Sequence, residues 1–180
     1  MQTIINRIKN GFTLVELMTG LLILGVLVGI AVPTYRDYQI RARMVDVVTV
    51  LETVLDEAKK QYVSAQTIPS TVAGIPAGTV TAFTGSKCVV SILYDNGATW
   101  ANTGKGAMVQ AFISPTCGQG IPGYAAGTPG TSNTVTLAFL ASGELLQQYC
   151  GTWVNNGTQV PLTYLPSGCQ NDAFASTVTG

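Results

Sequence analysis

The feature that most constrains this chain is an apolar segment near its beginning, GFTLVELMTGLLILGVLVGIAVP at residues 11–33. From Phe12 to Val32 it contains about 21 residues, which as a helix rising about 1.5 Å per residue matches a bilayer core of roughly 30 Å. Glu16 is the one charged residue inside it. A carboxylate in a membrane helix costs roughly 2.5–3.5 kcal/mol at the bilayer centre, so its presence needs an explanation.

The flanks of this run favour a retained membrane helix over a cleaved secretory signal. The preceding residues carry Arg7 and Lys9 and no acid, which predicts a cytoplasmic N-terminus. A secretory signal has an apolar region of roughly 7–15 residues followed by a small-x-small cleavage site. The run is longer than that and lacks this pattern at its far end, so we expect it to remain in the chain.

A helical pattern resumes after the run. The ring of Pro33 would press on the carbonyl of Gly29, so we expect a bend there. Beyond it, apolar residues recur at spacings of three and four: Ile40, Met44, Val47, Val48, Leu51, Val54, Leu55, Ala58 and Tyr62. The pattern predicts one long bent helix from Phe12 to Ser64. Residues 12–35 would be its membrane-spanning part, apolar all round, and residues 36–64 its amphipathic part.

The pattern of the remaining residues predicts a loop followed by strands. Residues 65–87 are rich in Gly, Pro, Ser and Thr, which indicates a connecting loop. Strand patterns follow at 88–94, 107–113, 134–140 and 144–150, with turn signals at residues 95–97 and 141–143. We therefore expect an α+β fold in which the helix packs its apolar stripe on a four-stranded antiparallel sheet, with residues 88–180 forming the sheet and a C-terminal region.

Cys88, Cys117, Cys150 and Cys169 include no CxxC pair, and the chain has no histidine, which argues against zinc. An even number of cysteines in an exported chain indicates disulfides, with four buried free thiols as the alternative. Three pairings are possible. Cys88–Cys117 and Cys150–Cys169 close the shortest loops, so we favour them; the second pair would staple a C-terminal loop.

Catalytic and cofactor sites are not expected. Without histidine, Ser-His-Asp and Cys-His arrangements are excluded. Beyond residue 60 the carboxylates are Asp95, Glu144 and Asp172, which is little material for paired acid–base chemistry or a calcium loop. The GxGxxG match at residues 118–123 lacks the preceding strand and following helix of a dinucleotide site. Lys87 and Lys105 do not form a basic patch for DNA.

The N-terminal segment resembles the prepilin signature of type IV pilins: a short basic leader ending in Gly11, then Phe12-Thr13-Leu14-Val15-Glu16, a long apolar run and Pro33. The resemblance implies a leader of residues 1–11, cleavage between Gly11 and Phe12 by a prepilin peptidase, and N-methylation of Phe12. The overall plan of bent helix, loop, sheet and late disulfide loop is similar to the pilin fold.

The resemblance also implies a function. The chain would be a structural subunit, without enzymatic activity or cofactor, that self-assembles into helical pilus fibres for adhesion, twitching motility or DNA uptake. Partners would be copies of itself, the peptidase, an inner-membrane assembly platform, minor pilins, and membrane lipid before assembly; contact with DNA or a host surface stays open. The subunit would wait as a single-pass inner-membrane protein and end in an extracellular fibre.

Glu16 gains a physical reason from this reading. Cleavage exposes a cationic amine on Phe12, and in a fibre the carboxylate of one subunit can meet the amine of a neighbour, which would fix their register. The alternative is a carboxylate that reaches water from the end of the run. Arg36, Arg41 and Arg43, just past the bend, are either contacts to lipid or neighbouring subunits or a solvated helix face.

Three other identities are alternatives to a major pilin. A minor pilin, acting as a DNA receptor or adhesin, would differ in cellular abundance. A pseudopilin of a type II secretion system often relies on a calcium site, and the sequence offers no dense carboxylate loop. A single-pass membrane enzyme is disfavoured by the missing catalytic residues.

Overall fold

One helix, α1, dominates the first third of the chain and runs from Leu14 to Ala65 with Pro33 inside it. The computed structural model describes residues 11–97, 106–121, 124, 134–142, 145–152 and 160–170. The predicted helix is therefore present, beginning two residues later than Phe12 and ending one residue after Ser64. The chain divides into two units, Met1–Arg36 and Asp37–Gly180, and the bend expected at Pro33 remains a prediction.

Within the second unit, α1 buries one stripe. Eight of the nine predicted stripe residues are buried: Ile40, Met44, Val47, Val48, Leu51, Val54, Leu55 and Ala58. The ninth, Tyr62, is half-buried, and its ring centroid lies 6.0 Å from that of Phe139 in the sheet. Apolar spacing of three and four thus places the stripe in one core with alternating sheet residues such as Val109 and Leu137.

The main sheet has five antiparallel strands, each paired with the next one in the sequence, so the expectation of four strands is wrong. The four predicted strands are present as β4 (Val89–Asp95), β5 (Gly106–Ile113), β6 (Thr134–Ser142) and β7 (Leu145–Gly151). The fifth, β3 (Val80–Ala82), lies inside the expected loop of residues 65–87. That segment also contains a two-stranded ribbon of β1 (Thr71–Val72) and β2 (Ile75–Pro76).

The segment read as a loop is ordered by contacts with β4. Val80 pairs with Leu93 and Ala82 with Ser91. Tyr94, fully buried at the end of β4, donates a hydrogen bond from its hydroxyl to the carbonyl of Pro69 at 2.8 Å. Its own carbonyl accepts from the amide of Gly78, also at 2.8 Å. Because glycine and proline surround β3, the local sequence gives no strand pattern there. Pairing with β4 is what orders β3.

Of the two turns predicted from the sequence, one is confirmed and the other is wrong. At the end of β4 the amide of Gly97, whose φ of 79° suits glycine, donates to the Asp95 carboxylate at 2.8 Å. The tight turn expected at residues 141–143 is wrong, because Ala141 and Ser142 belong to β6 and Ser142 pairs with Leu145. The connecting residues 143–144 lie outside the described part.

Two disulfides link the second unit, Cys88–Cys117 and Cys150–Cys169. They are the two neighbouring pairs, with sequence separations of 29 and 19 residues. The first links the start of β4 to a short helix, α2 (Pro115–Gly118), which begins at a capping Ser114. The second links the end of β7 to a 3₁₀ turn at Ser167–Cys169, so the C-terminal loop is closed by a disulfide.

Candidate assembly surface

The start of α1 is fixed by hydrogen bonds between Thr13 and Glu16. The backbone amide of Glu16 donates to the Thr13 hydroxyl oxygen at 3.3 Å, and that hydroxyl donates to Oε2 of Glu16, also at 3.3 Å. The amide of Leu17 donates to the carbonyl of Thr13 at 3.2 Å. Thr13 therefore caps the helix, and the Glu16 carboxylate lies in the first turn, where the helix dipole favours a negative charge.

This cap is a site residue that the sequence reading missed. Thr13-Leu14-Val15-Glu16 has the form of a capping box, a Ser or Thr followed three residues later by Glu or Gln before an apolar run. The signal was present in the sequence, but Glu16 was explained by charge pairing with another subunit. The geometry gives Glu16 a second, local role: it accepts from the capping hydroxyl at the N-terminal end of the helix.

The apolar part of α1 lies bare. An 18-residue stretch of this helix has the length and apolarity of a membrane span, and none of that stretch is buried within the chain. Phe12, the predicted methylation site, is 82% exposed, and Gly11 beside it is also exposed. We use the term apolar rod for residues 14–32. An uncovered surface of this kind requires lipid or another protein around it in water.

Gly25 and Gly29 lie on the apolar rod. A methyl group built at either glycine would meet nothing within 4 Å, so both positions are open in the single chain. Their spacing is that of a GxxxG contact, which lets two helices approach closely. The observation fits both a helix contact and the ordinary frequency of glycine in membrane helices.

The basic residues past Pro33 differ in their surroundings. Arg43 is half-buried, and its guanidinium donates to the carbonyl of Thr116 at 3.4 Å. Arg36 and Arg41 are exposed. Asp46, interleaved with them, accepts a hydrogen bond from the Ser86 hydroxyl at 2.6 Å. Arg43 and Asp46 therefore help to attach α1 to neighbouring segments, whereas Arg41 presents its charge to solvent.

The described part of the chain contains no candidate metal-binding cluster. Over those residues, no group of three or more Asp, Glu, Cys or His side chains is placed to hold a metal ion. The GxGxxG match begins in α2 and continues through Gly120, whose φ is 92°, into residues 122–123, which lie outside the described ranges. The segment before it is a short helix, where a dinucleotide site would have a strand.

Comparison with known families identifies the N-terminal segment. Residues 6–32 match the family described as "Prokaryotic N-terminal methylation motif". The matched range includes Gly11, Phe12, the Thr13–Glu16 cap and all of the apolar rod. The match therefore covers the capped start of α1 and the apolar rod, and it does not include the sheet.

Two relatives extend the similarity over nearly the whole chain, and a third covers a third of it. A protein named "Fimbrial protein" from Neisseria meningitidis serogroup A is 28% identical over 94% of this chain and 99% of its own length. "Fimbrial protein EcpC" from Eikenella corrodens is 25% identical over 94% of this chain and 95% of its own. "Type IV major pilin protein PilE" from Neisseria gonorrhoeae is 34% identical over 33% of this chain and 35% of its own length.

Proposed function

Because the chain belongs to the type IV pilin family, we propose that it is made as a precursor whose leader, residues 1–11, is removed between Gly11 and Phe12. It is a structural fibre subunit, not an enzyme, and its activity is self-assembly into pilus filaments. In our proposal a prepilin peptidase makes the cut and methylates the new amine of Phe12. The exposure of both residues is what access by such an enzyme requires.

The observation that carries this function is the bare apolar rod. A membrane-spanning length of helix has no cover within its own chain. Burial of apolar surface stabilises by about 25 cal/mol per Å², so lipid and then neighbouring rods are the surroundings that lower its free energy. The same helix, residues 12–35 together with 36–64, would thus serve first as an anchor and then as the fibre core.

Removal of the leader would control whether the apolar rod stays in lipid or moves into a fibre. Arg7 and Lys9 lie on the leader, and a charged end resists being drawn through a bilayer. Their position predicts an inner-membrane precursor with a cytoplasmic N-terminus. Cutting after Gly11 removes both charges, so the helix can be extracted into a fibre on the cell surface.

Glu16 would guide assembly through the amine that cleavage creates. The carboxylate is held by the Thr13 hydroxyl at the end of the helix from which Phe12 projects. A desolvated amine and carboxylate attract strongly, and removing either one leaves the other unpaired. We propose that the Phe12 amine of one subunit meets Glu16 of its neighbour, and that Pro33 bends α1 in the fibre.

The partners and roles follow the family. The assembly platform and minor pilins would build the fibre, which would serve adhesion, twitching motility or DNA uptake. The names of the relatives, fimbrial protein and major pilin, favour a major subunit over a minor pilin or a type II secretion pseudopilin. A major subunit would dominate the protein sheared from cells, and a minor one would be scarce there.

Substitutions of Glu16 test the proposal. Glu16→Ala should leave the precursor in the membrane fraction and reduce surface fibres to a small fraction of the wild-type amount, because the amine loses its partner. Glu16→Gln keeps an acceptor for Thr13 but loses the charge, and Glu16→Asp keeps the charge. Fibres from Asp but not from Gln would support charge pairing; wild-type amounts from Ala would refute it.

A further inference from the structure

A groove opens in the unit Asp37–Gly180 between α1 and the disulfide-closed C-terminal loop. Its volume is about 570 Å³. On the helix side it is lined by Tyr38, Ala42 and Val45, and on the loop side by Leu165, Pro166 and Gln170. Most of these side chains are apolar. We call it the helix–loop groove.

The loop wall of the groove is held in place by several bonds. The Cys150–Cys169 disulfide ties it to β7. The Gln170 side-chain amide donates to the carbonyl of Leu165 at 2.9 Å, and the amide of Cys169 donates to the carbonyl of Pro166 at 2.8 Å. Leu165 itself is buried. The groove therefore has a preformed wall, which lowers the ordering cost of filling it.

The helix wall carries an apolar stripe that faces away from the core, with Arg41 beside it. Tyr38, Ala42 and Val45 are spaced by four and three residues, and Tyr38 and Val45 are 71% and 51% exposed. The buried stripe of the same helix segment, which includes Ile40, Met44 and Val47, points into the core. An amphipathic helix that also has an outward apolar stripe is expected to be covered by a partner.

The most suitable occupant is the apolar rod of a second copy. The occupant must be apolar to match the groove, and among the described residues the rod is the long exposed apolar segment. Self-assembly brings copies together at high local concentration. The helix wall also belongs to α1, the helix that carries the rod.

The charges on the two surfaces are complementary. Glu16 is the one charged residue in the apolar rod, and Arg41 is the charged residue on the groove lining. The described residues place neither side chain in an ion pair. Asp37 precedes Arg41 by one helical turn, so Asp37, Arg41, Glu16 and the Phe12 amine would form a set with no net charge.

We propose that the apolar rod of one subunit lies in the helix–loop groove of another, with Glu16 next to Arg41 of that neighbour. This inference rests on the proposed function. Residues 16 and 41 are 25 positions apart in α1, so the subunit that supplies Arg41 would be displaced along the fibre from the one that supplies Glu16. The carboxylate has two oxygens and accepts from both the guanidinium and the amine. Arg41 is thus a residue that sets the register between subunits.

Photo-crosslinking in intact fibres tests the contact. The crosslinker p-benzoylphenylalanine is placed at Ala42 on the helix wall or at Ser167 on the loop wall, and at Val63, an exposed residue outside the groove, as a control. Trypsin would release the rod of a mature subunit as the peptide 12–36. We expect crosslinks from positions 42 and 167 to this peptide of another copy, and none from position 63.

The outcomes separate the two proposals. Fibres in normal amount whose groove positions crosslink to lipid, to the sheet or to nothing would overturn the groove contact and leave the fibre function intact. Absence of fibres from the wild-type chain would overturn the function itself. Where a bulky crosslinker blocks assembly at one wall, the other wall gives the answer.

A matched pair of arginine variants tests the register. Arg41→Gln should lower fibre yield about tenfold, as expected for the loss of one charge-assisted contact. Arg43→Gln removes the same charge from a side chain that bonds the Thr116 carbonyl, and should change the yield less than about twofold. Arg41→Lys should restore most of the yield. Equal yields from the two Gln variants would refute a register role for Arg41.

Discussion

The Thr13 hydroxyl makes two hydrogen bonds of 3.3 Å with Glu16: it accepts one from the backbone amide and donates one to Oε2 of the carboxylate. These two bonds give Glu16 two roles. It completes the first turn of a helix whose apolar rod has no cover within its own chain. It also keeps a carboxylate at the end of the helix where processing would create an amine. Each role can be tested separately.

Thr13→Ala should loosen the start of α1. The change removes the side-chain acceptor of the Glu16 amide and the donor to its carboxylate, and the loss of an N-cap costs about 1 kcal/mol. Hydrogen exchange of the Glu16 amide, measured on the full chain in detergent micelles, should therefore accelerate about fivefold. Thr13→Ser keeps the cap and should exchange like the wild type. Unchanged exchange in the Ala variant would show that Thr13 does not cap the helix.

The Cys150–Cys169 disulfide should stabilise the C-terminal loop against unfolding. Replacing both cysteines with Ser is expected to lower the free energy of unfolding by about 3 kcal/mol, the value for a loop of this length. Urea unfolding of the full chain in detergent measures the change.

The double variant at Cys88 and Cys117 is the matched control for that prediction. It should lose a similar amount of stability, because its sequence separation of 29 residues is comparable to the 19 residues of the other pair. Its groove crosslinks should persist, because Cys88 and Cys117 do not line the helix–loop groove. The variant at Cys150 and Cys169 should lose these crosslinks, because that disulfide holds the loop wall of the groove. Loss of the crosslinks in both double variants alike would show that the second disulfide has no specific effect on the groove.

Tyr94 should make the fold sensitive to alkaline pH. Burial, with a smaller contribution from the charge of Asp95, raises the pKa of the Tyr94 hydroxyl well above its ordinary value. The unfolded chain loses this proton near pH 10 while the folded chain keeps it, so the contribution to stability is complete below about pH 10 and is lost as the pH rises further.

Tyr94→Phe tests that sign. It removes the hydrogen bond to the Pro69 carbonyl and should cost about 1 kcal/mol near neutral pH. It should also flatten the fall in stability above about pH 10, measured by urea unfolding at each pH up to about pH 12. A slope equal to that of the wild type would assign the alkaline sensitivity to other groups.

Local patterns predicted those parts of the fold that local forces decide. Spacing of three and four residues placed Met44 and Leu51 on the buried face of α1, because a helix repeats every 3.6 residues. Alternating apolar runs placed β4 to β7. Strand β3 was missed because Val80 and Ala82 lie among turn-forming residues and are ordered by pairing with β4. The helix–loop groove depends on contacts between segments far apart in the sequence, for which no local pattern exists.

The candidate site divides in the same way. The signature from Gly11 to Glu16 could be read directly because its chemistry is encoded in consecutive residues. The Thr13 cap was also readable but was not recognised. The sequence could not predict that Arg41 and Arg43 have different surroundings. Arg43 donates a hydrogen bond to the carbonyl of Thr116, which comes from a distant segment.

The intact mass of the protein sheared from cell surfaces tests the central claim most directly. The claim is that the apolar rod leaves the membrane after processing and is buried among copies of itself. The predicted result is one dominant species that begins at Phe12, carries one added methyl group and contains two disulfides. A species that still begins at Met1, or material from which this chain is missing while the precursor stays in the membrane, would contradict it.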